Sequence, residues 1–507
     1  MDFTSAATSL PAPKTMDSLP LELKIAIFEY LRKEDLLSSA LVCRAWRDIA
    51  WDKVMWQTFM IRSSGLLEVI LGKEDEWWKV VNGDFIPLTS DSNRFLAVAA
   101  KTRSIDLDVT LVDSFVNVLM DVAESAPGKV LFPSLHTLDW GEFEEPQGDI
   151  AHTVFAGSPI KKIRIDGGYF ESTAVPARRT LSSFLEAHPQ LQDVTAYEGN
   201  LPKGNGIPEF WQLKDLRSLN YQGWITLEEW IKLIQECPRL NDVRLDGFIP
   251  DVIPPNPGLH LAPALRRLTL GEDASFDLTV SILESIEAPH LIALDFDAEP
   301  DRLDGRTEHP SESRARSAFR LLAQRSRDLK SLNFNTMLVL RAEVLAAFSS
   351  LRRLRVREYT PGCQLDDSSV ELLCRSLPQL WEFHWSYFDE DYAKITPKSF
   401  GSFARHCPDL AHLALPVTAT RPEDFAGSTL RGLVAFRETL RRLEFIPLTL
   451  LADHTKDFVS FLIVQCPNLT KLDISELNIA DREIPSSALI HMQYDMRDAY
   501  FQAQLVL

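Results

Sequence analysis

The sequence is poor in cysteine. Six occur in 507 residues, at Cys43, Cys237, Cys363, Cys374, Cys407 and Cys466, and none forms a CxxC pair. That excludes a disulfide scaffold and offers no cysteine-ligated metal knuckle; it fits thiols buried as small hydrophobes in a reducing compartment. Cations are in deficit as well, since 53 Lys and Arg against 72 Asp and Glu leave a net charge of −19. So acidic a chain is not expected to have nucleic acid as its main partner. No stretch approaches the ~20 uninterrupted apolar residues of a membrane span. Residues 1–16 are rich in Ala, Ser, Thr and Pro and lack the basic start and apolar run of a secretory signal. The expected protein is therefore cytoplasmic and/or nuclear, without a membrane partner, with a disordered tail at 1–16.

Catalytic signatures are missing too. There is no G-x-S-x-G elbow, no phosphate-binding G-x-x-x-x-G-K loop, no H-E-x-x-H and no G-x-G-x-x-G, each of which places reactive atoms where its chemistry needs them. His384 and His412 fall in neighbouring repeats, but two histidines without a third ligand are a weak metal hint. A non-catalytic protein is expected, with no metal and no cofactor.

What is present begins near the N-terminus. Ser18 is a plausible helix N-cap, and Pro20 falls in the first turn, where a missing N–H costs nothing. Leu23, Ile27 and Leu31 follow at intervals of four with Phe28 beside them, which predicts one apolar helical face. Asp35 can cap a second helix through Leu36, Leu37 and Leu41, and Cys43 to Ala50 makes a third, with Trp46, Ile49 and Trp56 as packing bulk. A bundle of about 40 residues has too little core to stand comfortably alone, so its apolar face is expected to belong to a partner.

The residues Leu19-Pro20-x-Glu22, Ile27-Phe28-x-x-Leu31, Asp35-Leu36, Val42-Cys43-Arg44-x-Trp46-Arg47 and Trp56 resemble the F-box in order and spacing. The resemblance covers about a tenth of the chain. It implies docking onto the Skp-type adaptor of a cullin–RING ubiquitin ligase, with Leu19, Pro20, Ile27, Leu31, Leu36, Val42 and Trp46 packing on the adaptor.

Beyond it the chain keeps returning to a Leu-x-x-Leu-x-Leu phrase, often preceded by Pro. Pro133-Ser134-Leu135 leads to Leu138 and Trp140, and Cys237-Pro238-Arg239-Leu240 leads to Val243 and Leu245. Pro378-Gln379-Leu380 leads to Phe383 and Trp385, and Cys466-Pro467-Asn468-Leu469 leads to Leu472 and Ile474. A degenerate early copy lies at Thr102, Ile105 and Leu107. Successive first positions are 22 (Leu329 to Leu351) to 38 (Leu291 to Leu329) residues apart, in and just above the ~20–29-residue range of leucine-rich repeats. Amphipathic stretches such as Leu227 to Ile234, Phe319 to Leu322, Val370 to Leu373 and Phe458 to Leu462 lie between the phrases. Each unit is thus a short strand plus a helix that buries its apolar faces only by stacking on its neighbours. The Pro after a helix stops it.

These features, including the Cys-Pro-x-Leu variant, resemble the leucine-rich repeats of F-box proteins. The expected fold class is α/β: a small three-helix F-box followed by a curved leucine-rich-repeat solenoid. Expected boundaries are a tail at 1–16, the F-box at 17–60, a connecting segment at 61–93, the solenoid at 94–475 and a C-terminal cap or tail at 476–507. Within 61–93, Leu66 to Leu71 and Trp77 to Val81 read as helical, and Gly83 and Pro87 as loop. The polar stretch from Ala298 to Ser313 reads as a surface loop, and Pro250 to Pro263 as an extended connection in place of a helix.

In a strand of this phrase the residues between the leucines face away from the core. Arg353, Arg355 and Arg357 then share one strand face in an acidic protein, with Glu382 and His384 on the next strand. Three such cations suit either a solvated face or an acidic or phosphorylated partner. These five residues are the candidate substrate-binding set. The resemblance implies a substrate-recognition subunit of a Skp–cullin–F-box ligase, with the adaptor, a cullin through it, and an unknown substrate protein as partners. The alternative is an F-box scaffold outside any ligase.

Overall fold

The structure is a computed structural model of the full chain. It describes residues 19–31, 35, 38–39, 41–50, 58–61, 78–81, 84–87, 96, 99–107, 128–140, 154–166, 174–197, 208–248, 258–273, 276–297, 312–336, 342–358, 365–387, 395–419, 436, 439–450, 455–474, 477–479 and 493–502. The chain divides into two compact units, Met1–Leu191 and Gln192–Leu507.

The first unit opens with helices α1 (Leu21–Glu29) and α2 (Arg44–Ile49), and residues 35, 38 and 39 between them are also helical. Helix α1 starts at Leu21, two residues later than a Ser18 N-cap predicts, because Pro20 is the N-cap itself; Ser18 lies outside the described residues. Strands follow: β1 (Thr58–Ile61), β2 (Trp78–Val81), β3 (Asp84–Pro87), β4 (Ser104–Leu107), β5 (Thr137–Trp140) and β6 (Lys162–Asp166). β1, β4, β5 and β6 pair in parallel in that order. The early repeat copy is therefore real, with Thr102 and Ile105 buried.

The sequence reading is corrected at β2. Trp77 to Val81 was expected to be helical, but Trp78–Val81 is a strand paired antiparallel with β3. Aromatic and β-branched residues ahead of Asn82-Gly83 form a hairpin signal that outweighs helical spacing in so short a run. Leu66 to Leu71 lies outside the described residues. Helix α3 (Ala174–Ala187) closes this unit, burying Leu181, Phe184 and Leu185.

The second unit is a run of strand-and-helix repeats. Its strands are β7 (Asp193–Tyr197), β8 (Ser218–Ile225), β9 (Asp242–Phe248), β10 (His260–Leu261), β11 (Arg267–Asp273), β12 (Ile286–Glu287) and β13 (Ala293–Asp297). They continue as β14 (Ser331–Thr336), β15 (Arg353–Glu358), β16 (Glu382–Tyr387), β17 (His412–Ala419), β18 (Arg442–Leu450), β19 (Lys471–Ile474) and β20 (Leu477–Ile479). From β7 to β19 neighbouring strands are parallel, except that β10 and β12 form a separate pair and β20 pairs with β18. The helices are α4 (Leu227–Glu236), α5 (Phe276–Ser285), α6 (Glu312–Arg325), α7 (Ala342–Leu345), α8 (Asp367–Ser376), α9 (Lys398–His406) and α10 (Thr455–Gln465). Local signals start them: Thr226 and Glu229 form a capping box at α4, and Asp366 accepts from Ser369 N–H at α8. Pro238, Pro378, Pro408 and Pro467 each follow within two residues of a helix end. Residues 298–311 and 249–257 lie outside the described residues, so the expected loop and extended connection are represented only by α6 and by β10.

Register explains the stacking. Leu219, Val243, Leu268, Leu294, Leu332, Leu354, Phe383, Leu413, Leu443 and Leu472 are aligned neighbour to neighbour. All are buried, so each leucine of the phrase fills the space between its counterparts in the adjoining repeats. The carbonyl after each repeat's first leucine accepts two N–H groups from the next repeat. Arg352 O, for instance, receives Trp381 N at 2.7 Å and Glu382 N at 3.0 Å. The residue three before that leucine is buried at Cys237, Ala262, Ala288, Ser326, Phe348, Leu377, Cys407 and Cys466. Here Cys237 Sγ donates to Phe210 O and Leu213 O (both 3.5 Å), and Ser326 Oγ donates to Ala288 O (2.9 Å). The Cys of the Cys-Pro-x-Leu phrase is thus a small, weakly donating group that ties one repeat to the last. Burial pushes the Cys237 thiol up to about 12, which makes it inert.

His188 holds the equivalent position in the first unit, fully buried against Phe184 with ring centroids 4.3 Å apart. Burial lowers its pKa from 6.5 to about 4. The folded state therefore resists a proton that the unfolded chain takes up, so stability is complete above pH 6.5 and falls as the pH drops from 6.5 toward 4. His188→Gln should remove that acid-side loss, which reaches roughly 3 kcal/mol at most; urea unfolding at pH 7 and pH 4.5 reads the difference. Leu332→Ala, emptying space between Leu294 and Leu354, should cost about 2–5 kcal/mol in the same assay at any pH.

Candidate functional site

Two surfaces stand out. In the N-terminal bundle, Phe28, Ile49 and Ala50 make the core, with Ile25, Leu31 and Trp46 packed against it. Trp46 meets Phe28 edge-on at 5.6 Å between ring centroids. Of the residues singled out for adaptor docking, Leu31 and Trp46 are therefore half-buried within the bundle itself. Leu19 is half-buried, Pro20 and Ile27 are exposed, and Val42 is 63% exposed. Leu36 lies outside the described residues.

Sequence reasoning missed other members of this surface. Leu21 (50% exposed), Leu23 and Leu41 (88%) are large apolar side chains turned to solvent. The intervals of four through Leu23, Ile27 and Leu31 put one apolar face on the helix and left that face to a partner, with Phe28 beside it. In the structure Phe28 turns inward, and Leu23 and Ile27 face outward. The signal that could have found this is the apolar content of α1, which exceeds what one face can hold.

The second surface is the face of the second unit's sheet that carries the residues between the buried ones. Register places Arg353 beside Glu382, Arg355 beside His384 and Arg357 beside Ser386. Glu382 is 5% exposed and lies under two of the arginines: Arg353 Nε is 2.8 Å from its Oε2, and Arg355 Nη2 and Nε are 2.5 and 2.6 Å from its Oε1. The structure thus brings Arg353, Arg355 and Glu382 together as an ion-paired triad of net charge +1. Glu382, expected on an exposed face, is buried under the two arginines, and Ser386 on the same strand is buried too. Arg357 stays exposed at the end of the row. His384 is held below the usual histidine range, chiefly by burial; Glu444 and Glu382 oppose this, and Arg355 and Arg357 reinforce it. It offers a neutral imidazole to a ligand. On the other flank, burial raises the carboxyl of Asp295, while Asn333 and the cations of Arg353 and Arg355 act against the rise.

His384 and His412 sit two register positions apart on β16 and β17. Among the described residues no group of three or more His, Cys, Asp or Glu could hold a metal ion. Cys363 lies outside the described residues, and Cys374 is buried against Cys407.

Where the strands begin, an open basin of about 1230 Å³ is lined by Lys330, Arg352, Arg353, Trp381, His412 and Arg441, with Asp409 beside them. The Trp381 and His412 rings are 4.5 Å apart, and the Arg353 guanidinium lies 5.9 Å from the Trp381 ring.

Residues 16–62 match the F-box-like family. No curated protein matches the chain. Among solved structures it is similar to the complex of Rad7 and Elc1 from yeast, at 16% identity and a TM-score of 0.39, covering 75% of this chain and 90% of that one. It is also similar to an internalin (inlF) of Listeria monocytogenes, at 14% identity and a TM-score of 0.35, covering 66% and 94%. The chain thus carries an F-box-like segment at residues 16–62, and the parallel strand-and-helix units after it are leucine-rich repeats by their own architecture. No helix among the described residues is long and apolar enough to cross a membrane.

Removing the charge of Glu382 leaves two guanidinium groups side by side without their shared partner. Glu382→Gln should destabilise the second unit by roughly 1–3 kcal/mol, less at high salt, where the repulsion is screened. Urea unfolding at two ionic strengths measures it.

Proposed function

We propose that this chain is a substrate-recruiting subunit of a Skp–cullin–F-box ubiquitin ligase. The observation that carries the reading is the F-box-like match at 16–62 on a bundle whose core is minimal and whose apolar side chains, Leu21, Leu23, Ile27, Leu41 and Val42, are turned outward. A soluble protein has no use for such a patch unless another chain covers it. Leu19, Pro20, Ile27, Leu31, Leu36, Val42 and Trp46 form the docking surface for the adaptor, the outward residues by contact and Leu31 and Trp46 by holding the helices that present them.

The repeats hold the protein to be modified. Arg353, Arg355, Arg357, Glu382 and His384 lie on the sheet face available to it, a mixed-charge row with a neutral imidazole at its centre. The chain supplies no reacting group. Its contribution is proximity: a lysine of the held protein is kept near the charged conjugating enzyme carried by other subunits, which turns a bimolecular encounter into a local one. In this reading the F-box occupies 17–60, a connecting segment 61–93, the repeats 94–475 and a C-terminal cap or tail 476–507, with β1 (Thr58–Ile61) already paired to the first repeat strand.

The test uses two outward residues, so that folding is spared. Ile27→Asp with Val42→Asp should abolish copurification of a Skp-type adaptor while the thermal unfolding midpoint stays within about 2 °C. Unchanged adaptor recovery would sink the proposal. Loss of the chain should also lengthen the half-life of at least one protein that copurifies with it under proteasome inhibition; if no half-life changes, the chain is a scaffold and not a ligase receptor.

A further inference from the structure

An array of stacked units has to end on something that covers its apolar column. In the second unit the ladder stops at Arg441, the last residue whose carbonyl takes two N–H groups from a following repeat. Yet Cys466, Leu469 and Leu472 of the final repeat are buried. A last helix, over residues 493–502, buries Met496 and Tyr500 one turn apart on a single face, while Tyr494, Asp495 and Asp498 stay exposed.

Tyr500 does there what a further repeat would do. Inside the array, the carbonyl three residues before a repeat's first leucine takes a side-chain donor from the repeat that follows. Leu213 O takes Cys237 Sγ at 3.5 Å, Ala288 O takes Ser326 Oγ at 2.9 Å, and Leu377 O takes Cys407 Sγ at 3.7 Å. Cys466 holds that position in the final repeat, and its carbonyl takes the Tyr500 hydroxyl at 2.5 Å. The attachment is slighter than an interior repeat's. Among the described residues no backbone N–H of 493–502 reaches a repeat carbonyl, and the ion pair of Arg497 with Asp498 lies within the helix. Ten residues of helix do not hold their shape in water without an anchor, so this segment opens as a unit and at lower cost than the array.

We propose that residues 493–502 are a strap that closes the repeat array and releases on its own, with Tyr500 standing in for the donor of a following repeat and Cys466 uncovered when the strap lifts. Closed, it keeps the Cys466 thiol inert, since burial holds that thiol above its ordinary range. Lifted, it turns to solvent a thiol, a carbonyl and the outer edge of β19, which among the described residues pairs with β18 alone. The strap is independent of the recruitment reading, because neither the N-terminal bundle nor the arginine strand takes part in it.

Thiol labelling reads the release. The full chain, purified with whatever adaptor it retains, is treated with N-ethylmaleimide under native conditions, and each cysteine is followed by peptide mass spectrometry. Cys466 should react at least about tenfold faster than Cys237 and Cys407, at a rate nearly flat in urea below about 1 M, as local opening requires. Tyr500→Ala should raise the Cys466 rate about tenfold or more and leave the Cys237 and Cys407 rates as they were. Tyr500→Phe, which keeps the ring and loses the hydrogen bond, should raise it roughly fivefold. Tyr494→Ala, on the exposed face, should change nothing. If Tyr500→Ala does not fold, Tyr500→Phe decides alone. Equal rates at Cys237, Cys407 and Cys466 in the unaltered chain, or a Tyr500 variant without effect on Cys466, would overturn the proposal. So would a variant that speeds all three alike, since the helix would then open only with the core.

Discussion

The structure of the second unit depends on one repeated interaction. The carbonyl just after each repeat's first leucine accepts two N–H groups from the following repeat, at 2.7–3.1 Å from Gln192 through Arg441. This pair of bonds sets the register of each new strand on the last. Once register is set, the leucines fall opposite leucines and the alternate residues fall opposite one another on the other face. A slip of one residue would exchange the two sets and bring Arg353 and Arg355 into the core. The buried leucine columns and the exposed polar rows are therefore consequences of the same backbone contact.

That contact also governs the electrostatics. Parallel register puts Arg353 opposite Glu382, and it is this alignment, across 29 residues of chain, that lets one buried carboxylate sit between two guanidinium groups. The carbonyl that makes the ladder sits on residues whose side chains have nowhere to go but out. The edge of the sheet collects them, which is how Arg352, Trp381 and Arg441 come to line one basin in a chain of net charge −19.

The N-terminal bundle works under the opposite constraint. It has no repeating neighbour on which to stack, and its core rests on Phe28, Ile49 and Ala50. Apolar side chains that a longer array would bury are left at its surface. The bundle thus leaves apolar side chains exposed, whereas the repeats satisfy their apolar faces internally and turn polar rows outward.

Much of this was legible in the chain. The Leu-x-x-Leu-x-Leu phrase fixed which residues are buried in the repeats, because period-two alternation in a strand leaves no other choice for Val243 and Leu245 or for Leu354 and Val356. The bundle motif named its own family. Legibility failed where a choice depended on residues distant in sequence. Trp78–Val81 became a strand through its pairing with Asp84–Pro87, and Glu382 became buried through its pairing with Arg353 and Arg355 on the neighbouring strand. The sequence by itself determined the repeat, its buried positions and the identity of the N-terminal module. Only the tertiary structure decided which charges are spent on each other and which remain available, since that turns on register between strands and no local pattern encodes the partner of a side chain.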